Sequence, residues 1–153
     1  MLTLLIPGGP SVELRHLVLD ANGTVSARGA LITGVAERVA RLAERLEVHL
    51  ATADTFGTGE SLAAALGASF ARVANGDEKV RLVARLGAEG VVAIGNGRND
   101  VGMFRAARLS IAVIGPEGVA GAALSAADVV CTDILDALDL LLDARALAAT
   151  LRP

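Results

Sequence analysis

Leu17–Thr24, with the sequence LVLDANGT, is the segment from which most of the architecture of this 153-residue chain can be inferred. The apolar end of a short strand leads directly to Asp20, and Gly23 follows in a predicted turn. A carboxylate in this position lies at the rim of a sheet, where it can act as a nucleophile or bind a divalent cation. The segment therefore predicts a functional aspartate at a sheet edge.

Apolar segments rich in Val, Ile and Leu alternate with amphipathic segments along the chain, a pattern typical of βα units. Strands are predicted at residues 3–6, 14–19, 48–51, 69–73, 91–94, 109–114 and 128–131, and a small flap at 25–32. Helices are predicted at residues 33–46 (with Thr33 as N-cap), 61–66, 77–86, 100–107 and 117–124, and from 133 onward. We therefore expect an α/β fold, a three-layer, doubly wound and mainly parallel sheet, in one domain spanning residues 1–153.

The composition restricts both the core and the function. Apolar residues make up 53% of the chain but only three residues are aromatic, so the core is expected to consist of Ala, Val, Leu and Ile. The net charge is −3 with both signs interspersed, so no nucleic-acid partner is predicted. Cys131 is the only cysteine, which rules out an intramolecular disulfide. No basic N-terminal segment or long apolar run is found, so we expect a cytoplasmic protein without a membrane partner.

Three strand ends and one lysine carry candidate functional groups. Asp20, Thr52 and the loop Gly95–Asp100 each follow a predicted strand, and ligands of parallel sheets bind beyond the carboxyl ends of the strands. Lys79, the only lysine beside thirteen arginines, lies at the start of a predicted helix and supplies a compact point charge. In-line phosphoryl transfer needs a nucleophile, a cation, donors to the transferred oxygens and a fixed positive charge. These four elements together predict that chemistry.

In this order, the residues resemble the four motifs of the haloacid dehalogenase superfamily, most closely its capless, soluble branch that is similar to P-type ATPases. The first motif is matched by Asp20, Asn22, Gly23 and Thr24, the second by Thr52, the third by Lys79, and the fourth by Gly95, Asn96, Gly97, Asn99 and Asp100. The trio Thr52-Ala53-Asp54 is also similar to the Thr-Gly-Asp of the ion pumps. The resemblance covers essentially the whole chain.

The resemblance implies a Mg²⁺-dependent phosphohydrolase that acts on a phosphorylated substrate through an aspartyl phosphate on Asp20. Mg²⁺ would be bound by Asp20, the backbone carbonyl of Asn22 and the side chain of Asn96. The catalytic residues would be Asp20, Asn22, Thr52, Lys79 and Asp100. The phosphate-binding residues would be Asp20, Thr52, Ala53, Lys79 and Asn99.

Two residues depart from the pattern of the superfamily. Asn22 stands where phosphatases usually have an Asp that serves as general acid and base, a contribution of about 10²–10⁴-fold. Asn96 also replaces a usual Asp, so one charged ligand of Mg²⁺ is lost. We therefore expect weak Mg²⁺ binding, slow turnover and a long-lived aspartyl phosphate, as in the pumps. The alternative is a catalytically impaired fold of this superfamily that serves as a binding or regulatory subunit.

The intervals between the motifs are too short for a cap domain. Only 31 residues lie between Asp20 and Thr52, and 26 lie between Thr52 and Lys79. The resemblance then implies an open site. Such a site would be covered by a second subunit of a homo-oligomer, a dimer or a tetramer, or would serve a large substrate.

Two other classes of site share part of this residue pattern. A phospho-acceptor module similar to a response-regulator receiver also displays a strand-end Asp and a Lys, but it requires clustered acids early in the chain, and residues 8–12 contain none. The run Gly95-x-Gly97 resembles part of a dinucleotide-binding fingerprint. However, Asp100 stands where that fingerprint requires glycine, and its carboxylate would repel a pyrophosphate.

Five further residues are interpreted from their positions alone. Asp54 is expected to be a turn or helix-capping residue, and Cys131 a buried thiol at a strand end. His16 and His49 lie within or beside predicted strands and are interpreted as structural. Arg98, inside the Gly95–Asp100 loop, is equally compatible with a substrate contact and with plain exposure to solvent.

Overall fold

The computed structural model describes residues 1–153, and a six-stranded, fully parallel sheet forms its centre. The strands are β1 (Leu2–Leu5), β2 (Ser11–Leu14), β3 (His16–Asp20), β4 (Ser26–Ala27), β5 (Ala30–Leu31), β6 (Glu47–Thr52), β7 (Ser69–Arg72), β8 (Val91–Gly95), β9 (Leu109–Val113) and β10 (Val129–Cys131). The helices are α1 (Val35–Ala43), α2 (Gly59–Leu66), α3 (Gly76–Leu86), α4 (Val101–Ala106), α5 (Gly121–Ala126), α6 (Ile134–Leu142) and α7 (Ala144–Thr150). Short 3₁₀ turns at Ala88–Gly90 and Arg98–Asp100 precede β8 and α4.

The helices cover both faces of the central sheet, which makes three layers. Along β3, Leu17 and Leu19 pack with residues of α1, α2, α6 and α7 in one apolar cluster. Val18, whose side chain points to the opposite face, packs with residues of α3, α4 and α5 in a second cluster. Burial on both faces explains why the strand is continuously apolar. The predicted three-layer α/β fold is confirmed.

The strand order determines which edge of the sheet carries the predicted functional residues. The order is β10-β9-β8-β3-β6-β7, so the chain builds outward from β3 through β6 to β7 and then crosses back to β8 on the other side of β3. Asp20 of β3 pairs in register with Ala51 of β6, and Leu19 pairs with Ile94 of β8. Ligands in open parallel sheets bind at such a reversal of strand order, beyond the carboxyl ends of the strands.

The N-terminal segment forms a hairpin, of which only the first strand was predicted. Strands β1 and β2 pair antiparallel, with Leu2 opposite Leu14, so the prediction of one strand over residues 14–19 was wrong at its start. Leu14 belongs to the hairpin, and the core strand begins at His16. The hairpin forms because alternating residues such as Leu4 and Val12 are buried in the same cluster as Leu147 of α7.

Three predicted helix boundaries were also wrong. Helix α1 begins at Val35 after Gly34 (φ 90°), which makes no side-chain capping bond, so Thr33 is not the N-cap. The helix expected at residues 117–124 begins only at Gly121, because Gly118 N donates to Gly115 O (2.9 Å) in a turn. The C-terminal helix is divided at Asp143 into α6 and α7.

Between Asp20 and α1 the chain forms only a tight turn and the two-residue hairpin of β4 and β5. This is the predicted flap, and it adds no separate layer over the sheet. No helix in the structure combines the length and the apolar composition needed to cross a membrane.

Candidate active site

A buried ion triad occupies the carboxyl edge of the central strands. Lys79 Nζ lies 2.7 Å from Asp20 Oδ1 and 2.6 Å from Asp100 Oδ1. The side chain of Lys79 is 1% exposed and that of Asp100 is fully buried, whereas 10% of the Asp20 side chain remains exposed. The three groups come from β3, from the first turns of α3 and from the turn that opens α4, so the fold brings distant segments of the chain together here.

The triad carries one positive and two negative charges, and both burial and these neighbouring charges shift the pKa values of Asp20 and Lys79. Burial raises the pKa of Asp20 from 3.8 to about 6, with Lys79 opposing the rise and Asp100 adding to it. Burial alone would lower the pKa of Lys79, but the two neighbouring carboxylates outweigh it and the net change is upward. Lys79 is therefore held as an ammonium, while Asp20 lies in a site with an excess of negative charge.

The turn after β8 holds Asp100 in place. Its Oδ2 accepts hydrogen bonds from the backbone N–H groups of Asn96 (3.0 Å) and Gly97 (2.9 Å), while Oδ1 accepts from Lys79. A Cβ at Gly95 would collide with the carboxylate of Asp100, so only glycine permits this close packing. Both oxygens of Asp100 are thus satisfied, and one of them holds the Lys79 ammonium in place.

The amide of Asn96 is oriented toward Asp20. Its Nδ2 donates to the backbone carbonyl of Gly118 (3.0 Å), which turns Oδ1 toward the Thr24 hydroxyl at 3.2 Å. The same hydroxyl lies 3.2 Å from Asp20 Oδ2. A hydroxyl donates only one proton, so it cannot satisfy both oxygens at once. The Oδ2 of Asp20 and the Oδ1 of Asn96 therefore retain acceptor capacity next to the surplus negative charge of the triad.

These oxygens border a small polar cavity of about 280 Å³. It is lined by Asp20, Asn22, Thr52, Ala53, Thr55, Asn96, Gly97, Asn99 and Glu117. All the residues predicted to bind metal or phosphate lie on this cavity except Lys79, which lies beneath it in contact with Asp20. The structure therefore brings the sequence-predicted set together, and their individual roles remain predictions.

Two residues that line the cavity, Thr55 and Glu117, were not singled out from the sequence. Glu117 was assigned to a helix but lies in the turn between Gly115 and Gly118, where its carboxylate borders the cavity. Gly23 adopts φ 77°, and a Cβ there would lie 2.5 Å from Asn96 Nδ2 and 2.6 Å from Glu117 Oε2. The pair Gly115 and Gly118 was the available signal, because two glycines around Pro116 and Glu117 favour a turn over a helix.

The remaining singled-out residues have clear positions. Asp54 adopts φ 59° and accepts a hydrogen bond from Gly59 N (2.6 Å) at the start of α2, in agreement with a turn or capping role. Its own N–H donates to Thr52 Oγ1 (3.1 Å), which fixes that hydroxyl at the strand end. Arg98 is exposed and does not line the cavity, and Cys131 is buried at the end of β10.

No protein-family model matches the chain. An uncharacterized protein of Methanocaldococcus jannaschii is 48% identical over 62 residues, which are 40% of this chain and 67% of that protein. The two chains belong to one family.

Solved structures resemble this chain over most of its length. The cobalt-bound deoxy-D-mannose-octulosonate 8-phosphate phosphatase of Haemophilus influenzae has a TM-score of 0.71 at 18% identity, covering 89% of this chain and 91% of that one. The Moraxella catarrhalis 3-deoxy-D-manno-octulosonate 8-phosphate phosphatase, in complex with a magnesium ion, a phosphate ion and a KDO molecule, also has a TM-score of 0.71 at 18% identity, covering 87% and 88% of the two chains. At this identity the likeness concerns the fold.

A zinc-transporting PIB-type ATPase in its E2.Pi state has a TM-score of 0.65 at 27% identity. The match covers 76% of this chain but only 20% of the pump, so this chain corresponds to about a fifth of that protein's length.

Proposed function

We propose that this chain is a member of the haloacid dehalogenase superfamily, which its motifs resemble and the likeness of its fold supports, and that it is a slow, Mg²⁺-dependent phosphohydrolase acting through phosphorylated Asp20. The observation that carries the proposal is the buried contact of Lys79 Nζ with both Asp20 and Asp100, at the edge of the sheet where its strand order reverses. A buried ion cluster is a weak stabilising device, so its presence at this edge supports a functional role.

The first half-reaction uses groups already in contact. Asp20 Oδ2 keeps acceptor capacity, so it is the oxygen available to attack the phosphorus of a phosphate monoester. The new O–P bond forms as the bond from phosphorus to the leaving oxygen breaks. Lys79 balances one of the two buried negative charges, which reduces the repulsion between Asp20 and an incoming phosphate group. The Thr52 hydroxyl and the Asn99 amide border the cavity and can donate to the oxygens of the transferred group.

The donor set fits a hard cation. Asp20 and Asn96 offer oxygen ligands only, and the backbone carbonyl of Asn22 would be the third, which is the ligand type that Mg²⁺ prefers. The surplus negative charge of the triad and the nearby Glu117 carboxylate both favour a divalent ion. Bound there, Mg²⁺ would neutralise charge on the phosphate oxygens. The replacement of an Asp by Asn96 lowers the expected affinity but keeps the ligand oxygen.

Asn22 determines the expected rate of turnover. Its carboxamide lines the cavity but can neither protonate the leaving oxygen nor accept a proton from water. The leaving oxygen must therefore take its proton from solvent, and an unassisted water must cleave the aspartyl phosphate to release inorganic phosphate and regenerate Asp20. Loss of general acid–base assistance costs about 10²–10⁴-fold, so the phosphorylated protein is expected to be long-lived.

The substrate is a phosphate monoester whose organic part lies outside the cavity. A volume of about 280 Å³ lined almost entirely by polar groups and glycine accommodates a phosphate and a metal, and only Ala53 is apolar among the lining residues. The structurally similar phosphatases are named for an octulosonate 8-phosphate. We extend to this chain only the phosphate monoester class. A second copy of the chain or the substrate itself would then cover the open side.

The second candidate function is a binding or regulatory subunit that retains the fold without turnover. The pair Asn22 and Asn96 favours it, because both positions lack the carboxylates that hydrolysis and metal binding use.

The test is hydrolysis of an aryl phosphate with and without Mg²⁺, comparing the parent chain with Asn22→Asp, Asn96→Asp and Asp20→Ala. We expect Asn22→Asp to raise kcat by about 10²-fold or more, since it restores the general acid and base. Asp20→Ala should abolish the activity of the parent and of the Asn22→Asp variant. Full activity after Asp20→Ala would refute the mechanism, and no activity in the parent or either restored variant would favour the binding role.

A further inference from the structure

The only two histidines of the chain meet at the amino end of the central sheet. His16 opens β3 and His49 lies in β6, 33 residues later, yet His16 Nδ1 is 3.3 Å from His49 Nε2. Glu47 is directly opposite His16 in the strand register, and its Oε2 lies 3.5 Å from the same Nδ1. The three ligand atoms all lie within 4.8 Å of one another.

This convergence follows from the sheet itself. In a strand, alternate side chains share a face, so Glu47 and His49 of β6 project to one side together. His16 is in register with Glu47, and Val18 is in register with His49. One face of two adjacent parallel strands thus presents two imidazoles and a carboxylate around one point. Neither the apolar core nor the candidate active site requires them there.

The separations are those of ligands around one tetrahedral ion. Zn²⁺ binds imidazole nitrogen at about 2.0–2.1 Å and carboxylate oxygen at about 2.0–2.2 Å, so two ligand atoms at the tetrahedral angle are about 3.4 Å apart. The observed 3.3 Å and 3.5 Å already match that spacing. The third separation, between the Glu47 carboxylate and His49 Nε2, is within 4.8 Å. A rotation of the Glu47 side chain shortens it, because that side chain is 76% exposed and therefore unrestrained by packing.

We propose that His16, Glu47 and His49 form a binding site for a divalent transition-metal ion of the Zn²⁺ class, separate from the oxygen-lined cavity at the other end of the sheet. Two imidazoles and one carboxylate are a borderline-soft donor set that favours Zn²⁺ over Mg²⁺. The bound ion keeps a fourth position for water, which reaches it from the exposed side of Glu47. His16 and Asp20 open and close the same strand, so the two sites are about 13 Å apart along β3.

The proposal competes with a simpler account in which the imidazoles share one N–H···N hydrogen bond. In that case Glu47 is an ordinary exposed acid beside them, and added metal finds no third ligand. The two accounts predict different effects of Zn²⁺ on the NMR signals of the two imidazoles. A metal site predicts that the signals of both rings shift together. Because the chain has only these two histidines, their Hε1 and Hδ2 proton resonances are directly observable and are assigned by His16→Gln and His49→Gln.

The experiment is a Zn²⁺ titration of the metal-free full chain followed by ¹H and ¹⁵N NMR. One equivalent of Zn²⁺ should shift the signals of both imidazoles together, with His16 ligated through Nδ1 and His49 through Nε2. Calorimetry should give one ion per chain. His49→Gln and His16→Gln should each weaken binding by more than about 100-fold and Glu47→Gln by about tenfold.

Two control variants keep the result specific. Glu89→Gln alters another exposed carboxylate near His16 that is not among the three ligands, and it should leave Zn²⁺ binding unchanged. Asp20→Asn alters the oxygen-lined cavity and should also bind Zn²⁺ normally, which separates this site from the proposed Mg²⁺ site. Circular dichroism establishes that each variant is folded.

Three outcomes would overturn the proposal. The first is the absence of any histidine shift in the folded parent with excess Zn²⁺. The second is undiminished Zn²⁺ affinity in a folded His49→Gln or His16→Gln variant. The third is loss of binding in Asp20→Asn alone, which would assign the ion to the other end of the sheet.

Discussion

Replacing Asp20 with an asparagine should stabilise the metal-free protein at neutral pH. Burial and the neighbouring Asp100 raise the pKa of Asp20 from 3.8 to about 6 despite its contact with Lys79. A group whose pKa is raised on folding binds more protons in the folded state, so the free energy of unfolding falls as pH rises from about 4 through about 6. Each pH unit is worth about 1.4 kcal/mol, so the ionised carboxylate costs about 3 kcal/mol at pH 7. The neutral carboxamide of the Asp20→Asn variant carries no such cost.

The assay is urea unfolding from pH 4 to pH 7.5, followed by far-ultraviolet circular dichroism because the chain has no Trp or Tyr. The difference between the parent and Asp20→Asn cancels the titration of the groups that do not interact with Asp20. We expect the parent to lose up to about 3 kcal/mol relative to the variant across this range, and Mg²⁺ to restore the loss in the parent only. A difference that is independent of pH, or a variant less stable than the parent at pH 7, would refute the account of a surplus charge.

Two further substitutions test the charges around the site. Lys79→Met leaves Asp20 and Asp100 buried without a counter-charge, so it should lower the free energy of unfolding by about 3–5 kcal/mol, measured by urea unfolding at pH 7. The control Arg81→Met, on the exposed face of the same helix, should change the free energy of unfolding by less than about 0.5 kcal/mol. Glu117→Gln removes one negative charge from the rim of the cavity and should weaken Mg²⁺ binding about fivefold by calorimetry, about 1 kcal/mol, while the remote Glu89→Gln has no effect. Equal effects of Lys79→Met and Arg81→Met would contradict the first expectation, and unchanged affinity in Glu117→Gln the second.

The sequence predicted the central architecture because its signals are local. Continuous apolar runs such as Val91–Gly95 reveal strands buried on both faces, and the polar residues that end them mark the functional edge. The motifs assigned Asp20, Lys79 and Asp100 to one catalytic set, and the structure brings the three side chains together. The distances and the unequal burial of its members depend on tertiary packing, which no local pattern encodes.

Two of the misses depend on contacts between residues that are far apart in the sequence. Glu117 was placed in a helix expected at residues 117–124, but Gly115 packs so closely against the backbone of Gly23 that a side chain there would collide with it. That contact requires a turn and moves Glu117 to the cavity. The meeting of His16 and His49 was likewise invisible, because it depends on the register between β3 and β6.

The energetic cost of the buried triad helps to distinguish a slow enzyme from a catalytically inactive fold. Replacing a buried ion cluster with apolar residues of similar volume is often neutral or stabilising, so such a cluster is weak as a stabilising device. Here it also leaves Asp20 with an unfavourable charge at neutral pH. A fold that served only as a binding scaffold would gain nothing from that cost. A phosphohydrolase, in contrast, needs a reactive carboxylate beside an ammonium and a metal ion, so the same cost provides its nucleophile. The buried triad therefore favours a slow enzyme over a catalytically inactive fold, despite Asn22 and Asn96.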